Sequence, residues 1–543
     1  MLSILSLATI CASWTSVATA LPKIPLAREA LSDDVNLGSS FFTQLLDHDH
    51  PELGTFSQRW WWNDQYWKGP GSPIGESDAS KNTGYLTNET LSGLYAQEMG
   101  GAVLMLEHRY YGESSPVQEL TPKTMQHLTF KNALADTVNF AKNVKLPFDK
   151  TTGSSPENAP WILVGGSYSG AQAGWTAATL PGTFWAYHAS SAPVEAIWDY
   201  WQYFVPIQER LPKNCSTDLV NVIDYIDSVL LGSDEAAKLS LKNKFQLGDL
   251  HDDDFAQAIA SGGPSYGQST TWDESAALYS FCDYIEVWNM KCQSLNSPRL
   301  TVSQNVYASP PANASAHGVG VQKALAGYAQ WWNFIFPGSC ASRGYWSSNY
   351  TTECYNSYNS SNPWYADKTI GNRANKQWEW LCCNEPFGAW HNGAPKGTKS
   401  IVSRLVTSDY SVRTCGTYFQ PDDGYTYASA KGKRSDAVNA WSKGWFGTTE
   451  RVIWTQGQYD PWREETVSSD FRPGGPLSSS DPNPIFVMEN ASHCYDLLLE
   501  NARSNAGIQQ VVNEAIKQMK TWIAEFKPNG NGTSIVRRRL RQY

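Results

Sequence analysis

The sequence predicts an α/β protein whose parallel sheet is interrupted by a large, mostly helical insertion. Segments with helical apolar spacing alternate with strand-like segments, as in a parallel sheet. Over residues 194–420 the texture changes to helical stretches among polar loops rich in Ser, Asn, Tyr and Trp. The strands themselves are predicted from continuous apolar runs, typical of strands covered on both faces, at residues 102–106, 161–164, 451–455 and 485–488.

The remaining elements follow in chain order. A third strand of the first half is predicted at 184–188, and helices at 128–144 and 220–231. A further helix begins directly after Gly170 with the letters AQAGWTAATL. A closing helix carries one apolar stripe, formed by Ile508, Val512, Ile516, Met519 and Ile523.

The predicted domain organisation has five parts. The first twenty residues combine a short apolar stretch with Ala18-Thr19-Ala20, a small-residue cleavage pattern typical of a secretory signal peptide. The core of the sheet is divided by the insertion, which we interpret as a cap. The boundaries are a signal peptide at 1–20, a first core part at 21–193, a cap at 194–420, a second core part at 421–527 and a basic tail at 528–543.

Composition excludes several function classes. The 543 residues include 42 Lys+Arg against 52 Asp+Glu, a net charge of -10, so a nucleic-acid partner is not expected. Aromatic residues make up 13% of the chain, which argues against disorder. No long apolar run follows the N-terminus, so no stable membrane association is expected. The protein is predicted to be secreted and extracellular. Its predicted oligomeric state is a monomer or homodimer.

Cysteines and glycosylation sequons fit that localisation. Of the 10 cysteines, Cys11 leaves with the signal peptide, so nine remain and at least one cannot pair within the chain. Cys340/Cys354 and Cys383/Cys415 are candidate local pairs, although spacing alone does not decide pairing. The sequon at Asn490 is expected to be unused or to point outward. Glycosylation is predicted at Asn88, Asn214, Asn313, Asn349, Asn359 and Asn531.

The strongest chemical signal is GGSYSG at 165–170, between a predicted strand and a predicted helix. A nucleophile elbow places a serine on a strained strand-to-helix turn with small residues on either side. Here the pattern reads G-x-S-x-S, because Ser169 replaces the second glycine. Ser167 is therefore the predicted nucleophile of an α/β-hydrolase core, and the alternative is an ordinary Gly-rich turn.

The other catalytic residues follow from chain order. In this fold the acid and then the histidine come after the serine, beyond the ends of later strands. Asp460 follows the 451–455 run, and His493 follows the 485–488 run. The predicted roles are nucleophile for Ser167, general base for His493 and orienting acid for Asp460. The Tyr168 backbone N–H is a predicted oxyanion-hole donor. No cofactor and no metal site are expected.

Several motifs together resemble one serine peptidase family, which contains prolyl carboxypeptidase, dipeptidyl peptidase II and the fungal acid prolyl endopeptidases. The stretches that carry the resemblance are GGSYSG, EHRYYGES, GQYDPW, QWEWLCCNEP and FRPGGPL. It covers nearly the whole mature chain and looks closest to the fungal secreted prolyl endopeptidases. It implies an α/β-hydrolase core with a helical cap, and cleavage after proline at acid pH in peptide or protein substrates.

The resemblance also carries the predictions for substrate binding. A proline ring is apolar and its nitrogen offers no N–H, so aromatic faces suit it. Trp378 and Trp380 are the candidate wall of such a slot, with cap core as the alternative. Glu385 is predicted either to hold a substrate amine or to form an internal ion pair.

One departure from the family concerns the residues after Ile74. Relatives carry an apolar strand at this point, and about five residues look absent here because Ile74 runs directly into Gly75 and Glu76. The second oxyanion donor is accordingly predicted near Gly75 or Glu76. The alternatives left open are exopeptidase action, an esterase on the same fold, and a catalytically impaired binding protein.

Overall fold

A computed structural model describes residues 36–79, 83–269, 276–286, 317–387 and 390–528. The predicted signal peptide, the basic tail beyond Pro528, Cys292 and two sequons, Asn313 and Asn531, lie outside the described residues. The domain boundaries stay predictions. The described chain nevertheless has the predicted arrangement, with strands at both ends and helices between them.

Eight strands form one sheet in the order β1-β2-β4-β3-β5-β6-β7-β8. β1 pairs with β2 and β2 with β4 in antiparallel fashion, and every other neighbouring pair is parallel. This mixed sheet is the α/β-hydrolase core that the sequence predicts. The strands are β1 (Leu37–Leu45), β2 (Thr55–Asn63), β3 (Ile74–Ala79), β4 (Ala102–Glu107), β5 (Trp161–Gly166), β6 (Ala186–Ser190), β7 (Val452–Gly457) and β8 (Ile485–Met488).

The central strands bury both faces, which explains their continuous apolar letters. All residues of β4, β5, β6 and β7 are buried. In β5, Trp161 and Leu163 pack into one hydrophobic cluster, while Ile162 and Val164 pack into the cluster on the opposite face. Successive side chains point to opposite faces of a strand, so one apolar run supplies both cores.

The strand that the sequence analysis takes to be shortened is present. β3 lies between β4 and β5, with Ile74 opposite both Ala102 and Trp161. The residues IGESDA form the strand at this position, and the absence of about five residues relative to the family stays a prediction. A central strand is held by backbone hydrogen bonds to both neighbours, which a polar sequence supplies equally well.

Fifteen α-helices surround and cap the sheet in the described part of the chain. α2 and α3 belong to one face, and α1 and α15 pack on the opposite face with the third hydrophobic cluster. The helices are α1 (Leu91–Met99), α2 (Phe130–Asn143), α3 (Tyr168–Thr179), α4 (Phe204–Arg210), α5 (Lys213–Leu230), α6 (Glu235–Lys244), α7 (Asp252–Ser261), α8 (Ala277–Glu286), α9 (Val321–Ile335), α10 (Pro363–Ala366), α11 (Lys376–Asn384), α12 (Ser408–Tyr418), α13 (Ser435–Ser442), α14 (Leu499–Ser504) and α15 (Ala506–Glu525).

The cap has a hydrophobic core of its own. Buried residues of α4 to α9 form a separate cluster that includes Ile223, Phe255 and Trp332. In contrast, α11 and α12 pack into the same cluster as the sheet and α3. The second half of the cap therefore lies directly against α3, the helix that follows Ser167.

Three disulfides hold the described part of the cap. Cys340–Cys354 and Cys383–Cys415 are bonded as the spacing suggests, and Cys215–Cys282 is a third bond that spans 67 residues. Cys382 and Cys494 are free and buried. Among the described residues, no helix is both long and apolar enough to span a membrane.

Candidate active site

Ser167 lies on a strained turn between β5 and α3. Its backbone has φ 59° and ψ −128°, a conformation that a residue with a side chain adopts only at an energetic cost. A Cβ on Gly165 would lie 2.0 Å from the Ser169 carbonyl oxygen, and one on Gly170 would lie 2.6 Å from the Ser190 carbonyl oxygen. The steric demand therefore falls on these two glycines, and Ser169 in the second glycine position of the pattern is accommodated.

Asp460 and His493 meet beyond the ends of β7 and β8. His493 Nδ1 and Asp460 Oδ1 lie 2.9 Å apart, and the Trp462 N–H donates to the same oxygen at 2.9 Å. The amide of Gln456 lies 3.5 Å from Asp460 Oδ2. A carboxylate can only accept, so His493 Nδ1 carries the proton and, in the neutral ring, Nε2 is the acceptor.

A glycine permits the close approach of the two loops. A Cβ on Gly457 would lie 2.1 Å from the Ser492 carbonyl oxygen, so only glycine fits at the end of β7. The loop then turns at Cys494, whose φ is 59°. The Cys494 N–H donates to Ser191 Oγ at 2.9 Å, which ties the turn to the end of β6.

Two groups of the predicted triad have open hydrogen-bonding capacity. Ser167 Oγ and His493 Nε2 are both buried, and neither has a hydrogen-bond partner among the described residues. Buried polar atoms are usually satisfied, so such exceptions point to function. Catalytic hydrogen bonds are often long in a free enzyme and tighten when substrate binds. The two atoms are therefore not hydrogen-bonded to each other, and both keep their hydrogen-bonding capacity.

The electrostatics of His493 favour its protonated form. Burial lowers the pKa of His493, but the Asp460 carboxylate, together with Cys494, outweighs it and raises the pKa to about 10. The paired carboxylate stabilises the positive charge that the imidazole gains when it takes a proton.

A second His–Asp pair lies beneath the His493 loop. Asp496 accepts hydrogen bonds from Ser190 Oγ and from Thr455 Oγ1, the latter at 2.7 Å, and lies 2.9 Å from His188 Nε2. His188 Nδ1 lies 2.8 Å from the Tyr95 hydroxyl. Sequence analysis missed this buried network, although the position of Asp496 three residues after His493 was a possible signal.

The predicted oxyanion donors lie in two different places, one beside Ser167 and two inside β3. Tyr168 is the first residue of α3, where helix N–H groups have no partner within the helix. Gly75 and Glu76 lie inside β3, opposite Ile162 and Leu163 of β5. Because a strand rises about 3.3 Å per residue, they lie roughly 10 Å or more before the sheet edge that carries Ser167. The structure therefore does not bring Gly75 or Glu76 to the nucleophile.

A cavity of about 530 Å³ lies in the cap, in the size range of ligand pockets. Its lining is rich in aromatic residues and includes Trp331, Trp364, Trp378, Trp390 and Tyr418. Ser167 and His493 do not line it.

Two contacts connect the cavity with the triad. The Trp378 ring packs against the Tyr168 ring, with centroids 5.5 Å apart, next to the nucleophile. His391, which also lines the cavity, lies 5.0 Å from the Trp462 ring, and that ring lies 6.2 Å from His493. Burial lowers the pKa of His391 to about 3, so this imidazole is neutral.

The three predicted substrate-binding residues have three different environments. Trp378 lines the cavity, as expected for a wall residue. Trp380 does not: it is fully buried, packs against Phe419 and donates to the Leu128 carbonyl, so it belongs to the core. Glu385 forms an ion pair with Lys433, which is the internal pair that the sequence leaves open.

The predicted glycosylation sites are partly tested by exposure. Asn349, Asn359 and Asn490 are exposed, which fits an outward-pointing Asn490. Asn88 and Asn214 are half-buried, and their side-chain amides donate to Gln97 and Glu286. Glycosylation itself stays a prediction.

Comparisons with known proteins agree with this architecture. The profile of the family described as serine carboxypeptidase S28 matches residues 44–301 and 327–514. The chain is 38% identical to serine protease vicPa of Bipolaris victoriae over 90% of this chain and 89% of that one. It is 32% identical to a protein of Arthroderma benhamiae named "Probable extracellular serine carboxypeptidase", over 92% and 68% of the two chains.

A more distant relative is named for its substrate class. The chain is 23% identical to a lysosomal Pro-X carboxypeptidase of Pongo abelii over 96% of this chain and 97% of that one. The similarity to all three relatives extends over most of both chains, so it includes the sheet and the cap.

Proposed function

The chain belongs to the serine carboxypeptidase S28 family and is a serine-type peptidase, and from this premise we propose that it hydrolyses peptide bonds after proline through Ser167, His493 and Asp460. The observation that carries the proposal is the His493–Asp460 pair at 2.9 Å, at the same edge of the sheet as the strained Ser167 turn. No cofactor enters the proposed reaction.

In the first step Ser167 Oγ attacks the carbonyl carbon of the scissile bond. His493 Nε2 accepts the hydroxyl proton and then donates it to the leaving amine as the C–N bond breaks. This leaves an ester between Ser167 and the acyl part of the substrate. Water, deprotonated by the same nitrogen, then attacks the ester and releases the carboxylic acid and the free serine.

The oxyanion that forms in each step needs fixed donors. We assign one to the Tyr168 N–H, because it follows the nucleophile at the start of α3. A donor of this kind contributes about 3 kcal/mol to transition-state stabilisation. Gly75 and Glu76 are not retained for the second donor, since they lie inside β3.

The aromatic cavity supports proline selectivity. Proline presents an apolar ring and no N–H, so its recognition depends on contact with flat apolar surfaces. Trp378 combines a cavity position with a contact to Tyr168, and is the residue we assign to that contact. The name of the Pro-X carboxypeptidase relative points to the same substrate class.

Acid activity, which the family resemblance implies, is opposed by the site. Asp460 raises the pKa of His493, and a protonated imidazole cannot accept the serine proton. The pH profile of kcat/KM tests acid activity. A rise centred below pH 5 supports it, whereas a rise centred above the ordinary histidine pKa is the result expected from the Asp460 charge.

We also propose secretion, on the predicted signal peptide, the three disulfides and the extracellular relative. The substrates would then be proline-containing peptides and proteins outside the cell. The enzyme acts as a monomer or homodimer in this proposal.

The test is digestion of a proline-containing protein by the wild type and by Ser167→Ala, with every cut site mapped by mass spectrometry. Cuts after proline by the wild type alone support the proposal. Cuts without proline preference reject the specificity, and equal cutting by the variant rejects the nucleophile. Mapping also separates internal cleavage from the removal of terminal residues, which is the exopeptidase alternative. A catalytically impaired protein, the last alternative, would give no cuts.

A further inference from the structure

Arg343 is a buried cation in the wall of the cap cavity. Only 8% of the residue is exposed, and it lines the cavity together with Trp364 and Trp378. The Cys340–Cys354 disulfide closes the loop that carries it. Arg343 Nη1 donates to the Cys354 carbonyl at 2.6 Å, so the loop and its disulfide hold the guanidinium in place.

The partners of Arg343 are neutral. Its guanidinium lies 4.9 Å from the Tyr355 ring and 4.8 Å from the Trp364 ring. Among the described residues no carboxylate lies within ion-pair distance of it. Asp254 and Glu379 line the same cavity, but Asp254 is held by Ser357, and neither pairs with Arg343.

Another buried arginine shows what full pairing looks like in this molecule. Arg109 is 0% exposed, and its Nε and Nη2 donate to the two carboxylate oxygens of Asp136 at 2.7 and 2.6 Å. It also donates to three backbone carbonyls, those of Leu45, Leu46 and His127. Burying a charge without such pairing is costly, so the exception at Arg343 requires a reason.

The surroundings of Arg343 supply one. Its Nε is buried without a hydrogen-bond partner, and so is the Oγ of Ser339, which lines the same cavity. Burial lowers the pKa of Arg343, as expected for a cation without a counterion. A guanidinium is a fork of donors that matches a carboxylate. A buried guanidinium without a carboxylate partner in the wall of an open cavity therefore favours an anionic ligand.

We propose that Arg343 binds a carboxylate of the peptide substrate in the cap cavity. The carboxylate is either the C-terminal group of the peptide or an Asp or Glu side chain, and both present the same chemistry to the guanidinium. The inference rests on the proposed function, which makes the ligand a peptide. If the bound carboxylate is the C-terminal group, the site selects peptides by their C-terminus, and the enzyme is then an exopeptidase.

The test is equilibrium binding to the full-length secreted chain carrying Ser167→Ala, so that no turnover occurs. Three matched proline-containing hexapeptides are titrated by calorimetry: a free acid, its C-terminal amide, and the amide with one glutamate added in place of a neutral residue. We expect one of the two carboxylate peptides to bind about tenfold or more tightly than the neutral amide. A preference for the acid identifies the C-terminus, and a preference for the glutamate amide identifies the side chain.

Variants then assign the preference to Arg343. Arg343→Met removes the charge at similar volume and should abolish the preference, while Arg373→Met, at an exposed arginine beside Gly344, should keep it. If the Met variant does not fold, Arg343→Lys keeps the charge but not the fork, and it should weaken the preference. Equal binding of all three peptides overturns the proposal before any Arg343 variant is made. A preference that is undiminished in the Arg343 variants overturns it as well.

The design separates this inference from the proposed function. Absence of wild-type cleavage of any proline peptide would reject the proposed function, while the ratio of dissociation constants would still be measured. Conversely, normal cleavage after proline with no carboxylate preference would reject only the role of Arg343.

Discussion

Two buried His–Asp pairs lie on either side of one loop, and they differ in how completely they are hydrogen-bonded. In His493–Asp460 the second imidazole nitrogen has no partner among the described residues. In His188–Asp496 both imidazole nitrogens have partners, and Asp496 accepts from two hydroxyls as well. Both pairs join an imidazole to a carboxylate, and both are almost fully buried. Asp496 of one pair follows His493 of the other by three positions in the sequence.

The chemical type of a His–Asp pair therefore does not determine its role. A fully satisfied buried network stabilises one arrangement of the backbone. An unsatisfied acceptor at the same sheet edge as an unsatisfied hydroxyl points to function rather than support. We interpret His188–Asp496 as the support that positions the His493 loop, and His493–Asp460 as the reactive pair.

The largest effect is expected for Ser167→Ala. Removal of the nucleophile should lower kcat/KM by about 10⁵-fold or more, because the triad acts as a unit. The unfolding free energy should change little, since Ser167 Oγ makes no hydrogen bond in the described part of the chain. Peptide hydrolysis and urea denaturation measure the two quantities. Ser504→Ala, at an exposed serine of α14, is the control, and retention of more than a few per cent of activity would contradict the assignment.

Asp460→Asn should reduce kcat by about 10⁴-fold, because the amide favours the wrong imidazole tautomer. It should also move the pH dependence. Asp460 raises the pKa of His493, so wild-type kcat/KM rises with pH as the proton leaves, and the midpoint should fall in the variant. The pH profiles of both proteins test this, with Asp481→Asn at an exposed site as control. An unchanged midpoint would show that Asp460 does not act on the base.

Asp496→Asn should act first on stability, lowering the unfolding free energy at pH 7 by about 3 kcal/mol, as for a broken buried pair. Burial raises the pKa of Asp496, but the hydrogen bonds and charge of its partners, led by His188, outweigh it and hold the pKa below 3.8. The stabilisation is therefore present above about pH 4 and lost as pH falls through the folded pKa.

Urea denaturation at several pH values should show the difference between wild type and this variant shrinking in acid. Activity should fall by only about tenfold, through the position of His493. Glu489→Gln, on the exposed part of the same loop, is the matched substitution. A loss of activity as large as that of Asp460→Asn, without a loss of stability, would reverse the roles of the two pairs.

Tyr95→Phe should give the smallest effect. It removes the hydroxyl that lies 2.8 Å from His188 Nδ1, and should cost about 1 kcal/mol of stability. No change in kcat is expected, because the network still holds Asp496 through Ser190 and Thr455. Thermal unfolding and peptide hydrolysis measure both quantities, and a large fall in kcat would place Tyr95 in the reaction.

Sequence reasoning performed best where local pattern and chain order were sufficient. The apolar letters predicted β4, β5 and β7, which are buried on both faces, and also β8, although Val487 of that strand is exposed. It failed at β3, whose letters IGESDA are polar although the strand is central. The position of β3 is decided by its neighbours' backbones, and that information is not local.

The substrate-binding residues show a second limit. Trp378 and Trp380 lie two residues apart on α11, and the sequence treats them alike. A helix turns about 100° per residue, so the two side chains lie on nearly opposite sides, one at the cavity and one in the core. Only the packing of the cap against α3 distinguishes them.

By itself the sequence determined the alternation of strands and helices, the strained serine turn and the chain order of nucleophile, acid and base. These features depend on a few adjacent residues, or on the rule that parallel strands end at one edge. Tertiary structure alone decided which polar groups are satisfied. Asp496 meets His188 across 308 residues, and Arg343 meets no carboxylate of the described chain. A hydrogen bond is satisfied by proximity in space, which residue order does not specify.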